Sequence, residues 1–262
     1  MKSKPMREKR RRRITFGAAL FGFVFITLVA SCVYSIVHII ITPPGAIAET
    51  QYDKLKSDYV LMLLQCILGL IVMFLPSVLE RRMKIQVPNM MYIMFLIFLY
   101  GAIYLGEVQS FYYKIQNWDM ILHTFSGLML GALGFSVVNL LNRTEKVPVH
   151  LSPLLVAVFA FCFAVTLGVI WEVYEYTFDG VLHLNMQKFA VQNGAPLIGR
   201  EALKDTMGDL IVDTLGALVM AVIGYVSLKF HKGWVEKMLV RRGDHPAEQE
   251  NGAASEPEKP AD

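Results

Sequence analysis

Six long apolar stretches decide what this chain of 262 residues can fold into. They run over 14–41, 59–79, 90–106, 118–141, 152–176 and 206–230. A helix needs about 20 mainly apolar residues to cross the hydrocarbon of a bilayer. Inside that layer no water satisfies the backbone, so a spanning segment closes its own hydrogen bonds as a helix. The expected fold class is all-α: a polytopic membrane protein with about six transmembrane helices. Composition agrees. The chain is 55% hydrophobic and only 18% charged, against about 25% charged in soluble domains.

Loop charge sets the expected orientation. With the N-terminus inside, segments 1–13, 80–89, 142–151 and 231–262, together with Lys229, hold 19 of the 25 Lys and Arg residues. The opposite loops hold Lys54, Lys56, Lys114, Lys188, Arg200 and Lys204. Positive-inside bias then places both termini in the cytoplasm. The net charge of +3 is this asymmetry rather than a nucleic-acid patch, so the lipid bilayer is the expected partner. The basic start followed by an apolar run has the plan of a secretory signal. Its hydrophobic part exceeds the 7–15 residues of a cleaved one, so it reads as an uncleaved anchor. Val29-Ala30-Ser31-Cys32 has the form of a lipoprotein cleavage box, but the apolar run continues to Ile41. Cys32, Cys66 and Cys162 all lie inside spans and form neither a disulfide framework nor a metal motif.

One membrane domain, 14–230, follows from this pattern, between a basic segment 1–13 and a tail 231–262. Beyond about residue 242 the tail is rich in Pro, Ala, Gly and Glu, and reads as disordered. The connection 177–205 is long, and loops of this length are usually functional or disordered. It reads as a lid or a passive connector, with Leu184, Phe189 and Val191 on the bilayer or over a site. Asn193-Gly194 and Ala195-Pro196 mark turns within it.

The last three spans carry acids at one end and small residues below. Asp119 and His123 share a helix face, which Gly127, Gly131 and Gly134 continue. Glu172 and Glu175 follow the stripe Ala157, Ala160, Ala164 and Gly168. Asp205, Asp209 and Asp213 step by four and precede Gly216, Ala217, Ala221 and Gly224. Small residues at this spacing let membrane helices approach closely. Spans four to six should therefore form a bundle that opens into an acidic cup at the outer face. At a rise of 1.5 Å per residue, His123, Glu172 and Asp209 fall at one depth, with Asp213 a turn deeper.

Ionisable groups in a span are functional candidates by default, and six carboxylates in one site repel, so that some are expected to be protonated. His123, Arg200 and Lys204 are the nearby basic residues. A divalent cation is the other solution, because carboxylates with one imidazole suit Mg²⁺, Mn²⁺, Zn²⁺ or Fe. Asp119, His123, Glu172, Asp209 and Asp213 are the expected ligands, with Glu175 or Glu172 as a general base. The bland alternative is strongest at the span ends. Asp119 and Asp205 lie near helix N-termini, where acids are favoured, Asp205 suits a helix cap, and Glu175 suits solvent. Trp118 and Trp171 fit an interfacial aromatic belt. Ser126 shares the His123 face without a clear Ser/His/Asp signature. Glu107 and Gln109 would add to the rim.

The segments WDMILHTFSG, GVIWEVYEYTFD and LKDTMGDLIVDTLGA resemble the YjdF-like family of bacterial inner-membrane proteins. The likeness covers roughly residues 60–230 and implies a location in the bacterial cytoplasmic membrane rather than an activity. The order Asp…His, Glu, Asp…Asp is also faintly similar to VanZ-like membrane proteins. Three function classes stay open. One is a metal-dependent hydrolase or transferase acting on a lipid-linked or envelope substrate, with Arg200 and Lys204 meeting a phosphate. The second is a proton or divalent-cation transporter. The third is a non-catalytic envelope or peptide-resistance protein.

Overall fold

A computed structural model describes residues 4–43, 53–142, 151–191 and 195–242, with side chains from residue 16 onward. The turn at Asn193-Gly194, the tail beyond 242 and most of the loop 142–151 lie outside the described residues. Among the described residues there are eight α-helices: α1 (Lys4–Ile41), α2 (Lys56–Val72), α3 (Leu75–Met83), α4 (Asn89–Leu99), α5 (Phe111–Lys114), α6 (Trp118–Asn142), α7 (Pro153–Leu182) and α8 (Lys204–Lys229). Six helical stretches among them are long and apolar enough to cross a membrane. The architecture is therefore an all-α polytopic membrane protein. Its two-residue strands, β1 (Ile85–Gln86) and β2 (Arg241–Arg242), pair antiparallel.

The second span departs from the uniform helix that its hydropathy suggests. α2 and α3 meet at a break around Met73 and Phe74, and Pro76 starts the next helix. Proline fits there because its missing N–H would have no intrahelical partner. The third span changes pitch. Beyond α4 the segment Tyr100–Val108 is a π-helix, closed by Gln109 N–H donating to Tyr104 O at 2.9 Å. The wider turn leaves carbonyls for side chains. Gly101 O accepts from Trp118 Nε1 at 3.2 Å, and Lys54 Nζ donates to the carbonyls of Glu107 and Val108, both at 2.9 Å. Trp118 is thus a bundle contact, edge-on to Phe111 and half-buried at the start of its span. Trp171 remains exposed and stacks on Tyr174, as a belt residue would.

The two halves have separate cores. α1, α2 and α4 bury Val24, Leu28, Met62, Cys66, Leu96 and Leu99. α6, α7 and α8 bury Ala132, Phe135, Val156, Ala157, Ala160 and Met220. The second bundle is close enough to exclude side chains from its crossings. A β-carbon on Gly127 would lie 2.5 Å from Asp213 O, and one on Gly216 would lie 2.5 Å from Thr124 O. A β-carbon on Gly134 would meet Ala160 Cα at 2.7 Å. These are backbone contacts, so helix geometry leaves no side chain that can give way.

Residues 231–242 return to the bundle. Val235 and Val240 are buried, and Val240 N–H donates to Ser136 Oγ at 3.1 Å. Ser227 Oγ accepts from Trp234 and Val235 N–H at 3.0 and 3.4 Å. This part of the tail seals the end of the bundle opposite the acids.

Candidate functional site

Glu172, Glu175, Asp209 and Asp213 reach the cup on helix stripes that are buried along their length, and Asp119 and Asp205 stand half-buried at its rim. On α7 the buried face runs Ala157, Ala160, Ala164, Gly168, Glu172, Glu175 and Asp179. On α8 it runs Asp209, Asp213, Gly216, Ala217, Met220, Ala221 and Gly224. α7 continues to Leu182, past the expected end at Tyr176, which places Asp179 on the stripe. The left-handed φ of +54° at His183 ends the helix.

His123 sits at the centre. Its Nδ1 lies 3.1 Å from Asp213 Oδ2, whereas Nε2 lies 3.7 Å from Asp119 Oδ1 and 3.8 Å from Asp209 Oδ2. Ser126 Oγ donates to Asp213 Oδ1 at 2.8 Å. Asp213 accepts from Ser126, and its carboxylate stands where an Nδ1–H of His123 would donate. A carboxylate behind the imidazole of a metal ligand commonly plays this part. Nε2 then faces two carboxylates. A second ring proton, a protonated carboxyl or a cation would each relieve that juxtaposition. The candidate ligand atoms of Asp119, His123 and Asp209 lie within 4.8 Å of one another. The two separations at Nε2 are ones that ligands held at about 2.0–2.2 Å from a shared ion can take.

Glu172 is 5% exposed, and both its oxygens are buried without a hydrogen-bond partner. It lies within electrostatic range of His123, Asp205 and Asp213. The Gln187 amide beside it gives one N–H to Thr206 Oγ1 at 2.9 Å and has a second to offer. Buried acceptors nearly always find a donor or an ion, so Glu172 marks an unfilled interaction in the cup. Glu175 is buried one turn further along, rather than solvated.

The balancing charge comes from Lys188, which hydropathy gave no reason to single out. Its ammonium bonds to Asp119 and lies 3.4 Å from Asp205 Oδ2. It stands 4.8 Å from the ring centre of Tyr112. Burial works against the charge, but Asp119 and Asp205 outweigh it and hold the Lys188 pKa well above its ordinary value. Burial, followed by the nearby Asp119, likewise pushes Tyr112 well above the usual phenol range. Asp205 is therefore a partner of Lys188 and not a helix cap: the N-cap of α8 is Leu203, and it makes no side-chain cap bond. The basic residues expected here stand elsewhere. Lys204 turns to Glu201 at 3.9 Å and is 73% exposed. Arg200 is exposed and has no ion pair with the cup among the described residues. Glu107 meets Lys54 through its carbonyl, and Gln109 Nε2 donates to Tyr104 Oη at 3.1 Å.

Local bonds deliver Lys188. Asp179 accepts from Met186 N–H at 2.8 Å and Gln187 N–H at 2.9 Å. Asn185 and Ala190 exchange two further bonds. Leu184 and Met186 are buried against Leu61 of α2 and Tyr174. Residues 183–190 are thus a structured cover, whereas Phe189 and Val191 remain exposed. An Asp179→Ala variant leaves two amide donors without their acceptor, at a cost of about 1–3 kcal/mol each where buried. Hydrogen exchange at Met186 and Gln187 should then accelerate at least tenfold, while α6 and α8 keep their protection. Unchanged exchange would show that Asp179 does not tie the loop.

The family model described as "Predicted membrane protein (DUF2238)" matches residues 23–230, which include both helical halves and every residue of the cup. The chain belongs to this family. It is also similar to a Thermotoga maritima protein described as uncharacterized, with 31% identity over 156 residues, covering 58% of this chain and 70% of that relative. No solved structure matches the chain.

Proposed function

We propose that this membrane protein is a divalent-metal-dependent hydrolase or transferase, acting on a lipid-linked or envelope substrate at the outer leaflet. One observation carries the reading: His123 presents Nε2 to Asp119 and Asp209 while Asp213 holds its other nitrogen. Asp119, His123 and Asp209 would hold the ion, and Glu172 is free to join them or to act on the substrate. A divalent ion there would polarise a phosphoryl or carbonyl oxygen and acidify a bound water. Glu172, with two unpartnered oxygens, is better placed than Glu175 to accept the proton as general base. Exposed Ile121, Val173, Tyr176 and Met207 flank the acidic end of the three helices. A lipid-borne substrate would reach the cup sideways, from the bilayer. Arg200 and Lys204 stay as candidate contacts for a phosphate at the rim.

The orientation is part of this proposal. Positive-inside bias puts the cup outside and both termini in the cytoplasm of a bacterial inner membrane, in keeping with the YjdF-like resemblance. Against transport stands the floor of the cup, where Gly131 meets Met220, Gly134 meets Ala160 and Gly224 meets Phe135. No polar path continues there among the described residues.

Metal analysis of the detergent-purified protein tests the reading. One divalent ion per chain is expected after reconstitution, with metal-dependent phosphate release from lipid-linked phosphates in vesicles. Absence of any bound Mn²⁺, Zn²⁺ or Mg²⁺ would end the metalloenzyme reading. Binding without turnover on such lipids would move the substrate class elsewhere.

A further inference from the structure

The cup already holds a cation of its own, and its placement is not the default of a loop lysine. Lys188 has a φ of +47°, a left-handed conformation uncommon for a residue with a β-carbon. Its side chain keeps 20% of its exposure and reaches inward to Asp119 and Asp205. The ring of Tyr112 adds a cation–π contact. Tyr112 in turn occupies the space left by Gly106, where a β-carbon would lie 2.5 Å from the ring. Asp179 anchors the two preceding residues. Three separate elements therefore combine to deliver one positive charge to Asp119 and Asp205.

We propose that Lys188 is the selectivity element of the cup: its tethered ammonium competes with an incoming ion for Asp119, so that divalent cations enter and monovalent ones do not. This rests on the metal-site reading above. Asp119 turns one oxygen to Lys188 and the other to His123 Nε2. An ion among Asp119, His123 and Asp209 would share that carboxylate with the ammonium. Two cations on one carboxylate in a poorly solvated site repel strongly. A free Na⁺ or K⁺ carries the same unit charge as the ammonium it must displace. It also faces a competitor whose tether gives it a high effective concentration. A divalent ion brings a second charge, and the cup can use it. The buried Glu172 carboxyl is a further acid that this charge can meet.

Isothermal titration of the full-length protein with Mn²⁺ tests this, in sodium and in choline chloride at equal ionic strength. For the parent, affinity should agree within twofold between the two salts. For Lys188→Gln, affinity in choline should rise at least tenfold. Sodium should then weaken Mn²⁺ binding by the variant at least fivefold relative to choline. Lys188→Arg should keep the parental indifference to sodium and controls for disturbance of the loop. A parent without measurable Mn²⁺ binding beside a Lys188→Gln variant that binds would overturn the proposal, because Lys188 would then exclude divalent ions as well. A Lys188→Gln variant that binds Mn²⁺ no more tightly than a binding parent would overturn it, making Lys188 a counter-charge that coexists with the ion and leaving the metal site in place. Failure of parent and variants alike to bind Mn²⁺ or Zn²⁺ would sink the metal reading and this inference together.

Discussion

Replacing His123 by alanine is expected to lower divalent-metal affinity by roughly 100-fold or more, while the protein still inserts and keeps its helical content. The imidazole is the only neutral donor of the candidate ligand set, and it alone spans Asp119 on α6 and Asp209 on α8. Asp213→Asn should behave differently. It leaves every candidate ligand in place, and loses the carboxylate that holds Nδ1 at 3.1 Å and accepts from Ser126. Groups behind a ligand typically contribute 10–100-fold in affinity, so Asp213→Asn should fall between the parent and His123→Ala. Ser126→Ala should fall closer to the parent, because it removes one bond to Asp213. Metal titration of the three variants checks the order. Equal losses for Asp213→Asn and His123→Ala would make Asp213 a ligand. No loss in either would leave the cup as a packing device.

The parts of this arrangement visible in the sequence are those with a period. The six spans show in hydropathy. The stripes on α7 and α8 show in the spacing of Ala, Gly, Glu and Asp, and the structure buries the same stripes. The deeper placement of Asp213 follows from the rise per residue alone. What had no period could not be read. Lys188 lies in an irregular loop, and its inward direction depends on a left-handed backbone and on bonds to Asp179. Asp179 was hidden because hydropathy fades at Tyr176, whereas the helix runs to Leu182. Arg200 and Lys204 drew notice by proximity in sequence, and solvent competes for both. The Asp-x-x-x-His spacing suggested shared ligands, yet the division between Asp209 and Asp213 depends on which imidazole nitrogen each carboxylate faces, and spacing cannot distinguish them. The π-helix of Tyr100–Val108 left no compositional sign, although it brings Gly101 O to Trp118.

Gly127→Ala and Gly216→Ala are expected to lower the melting temperature of the detergent-purified protein sharply, each by a loss of about 1–3 kcal/mol or more. The added methyl groups would stand 2.5 Å from Asp213 O and Thr124 O, respectively. Backbone cannot rotate away as a side chain can, so α6 and α8 must separate, and tight packing spreads that displacement. Because Asp213 belongs to the crossing, its carboxylate would shift from His123 at the same time. Metal affinity should therefore fall together with stability in these two variants. Gly22→Ala and Gly180→Ala supply the contrast: both glycines are helical, and an added β-carbon meets nothing within 4 Å. These variants should melt with the parent or slightly above it, since alanine restricts the unfolded chain more than glycine does. If all four melted alike, the close crossing of α6 and α8 would be wrong, and with it the geometry that aims Asp213 at His123. A fall confined to Gly127→Ala and Gly216→Ala would tie the cup to the crossing beneath it, through the backbone that positions its orienting carboxylate.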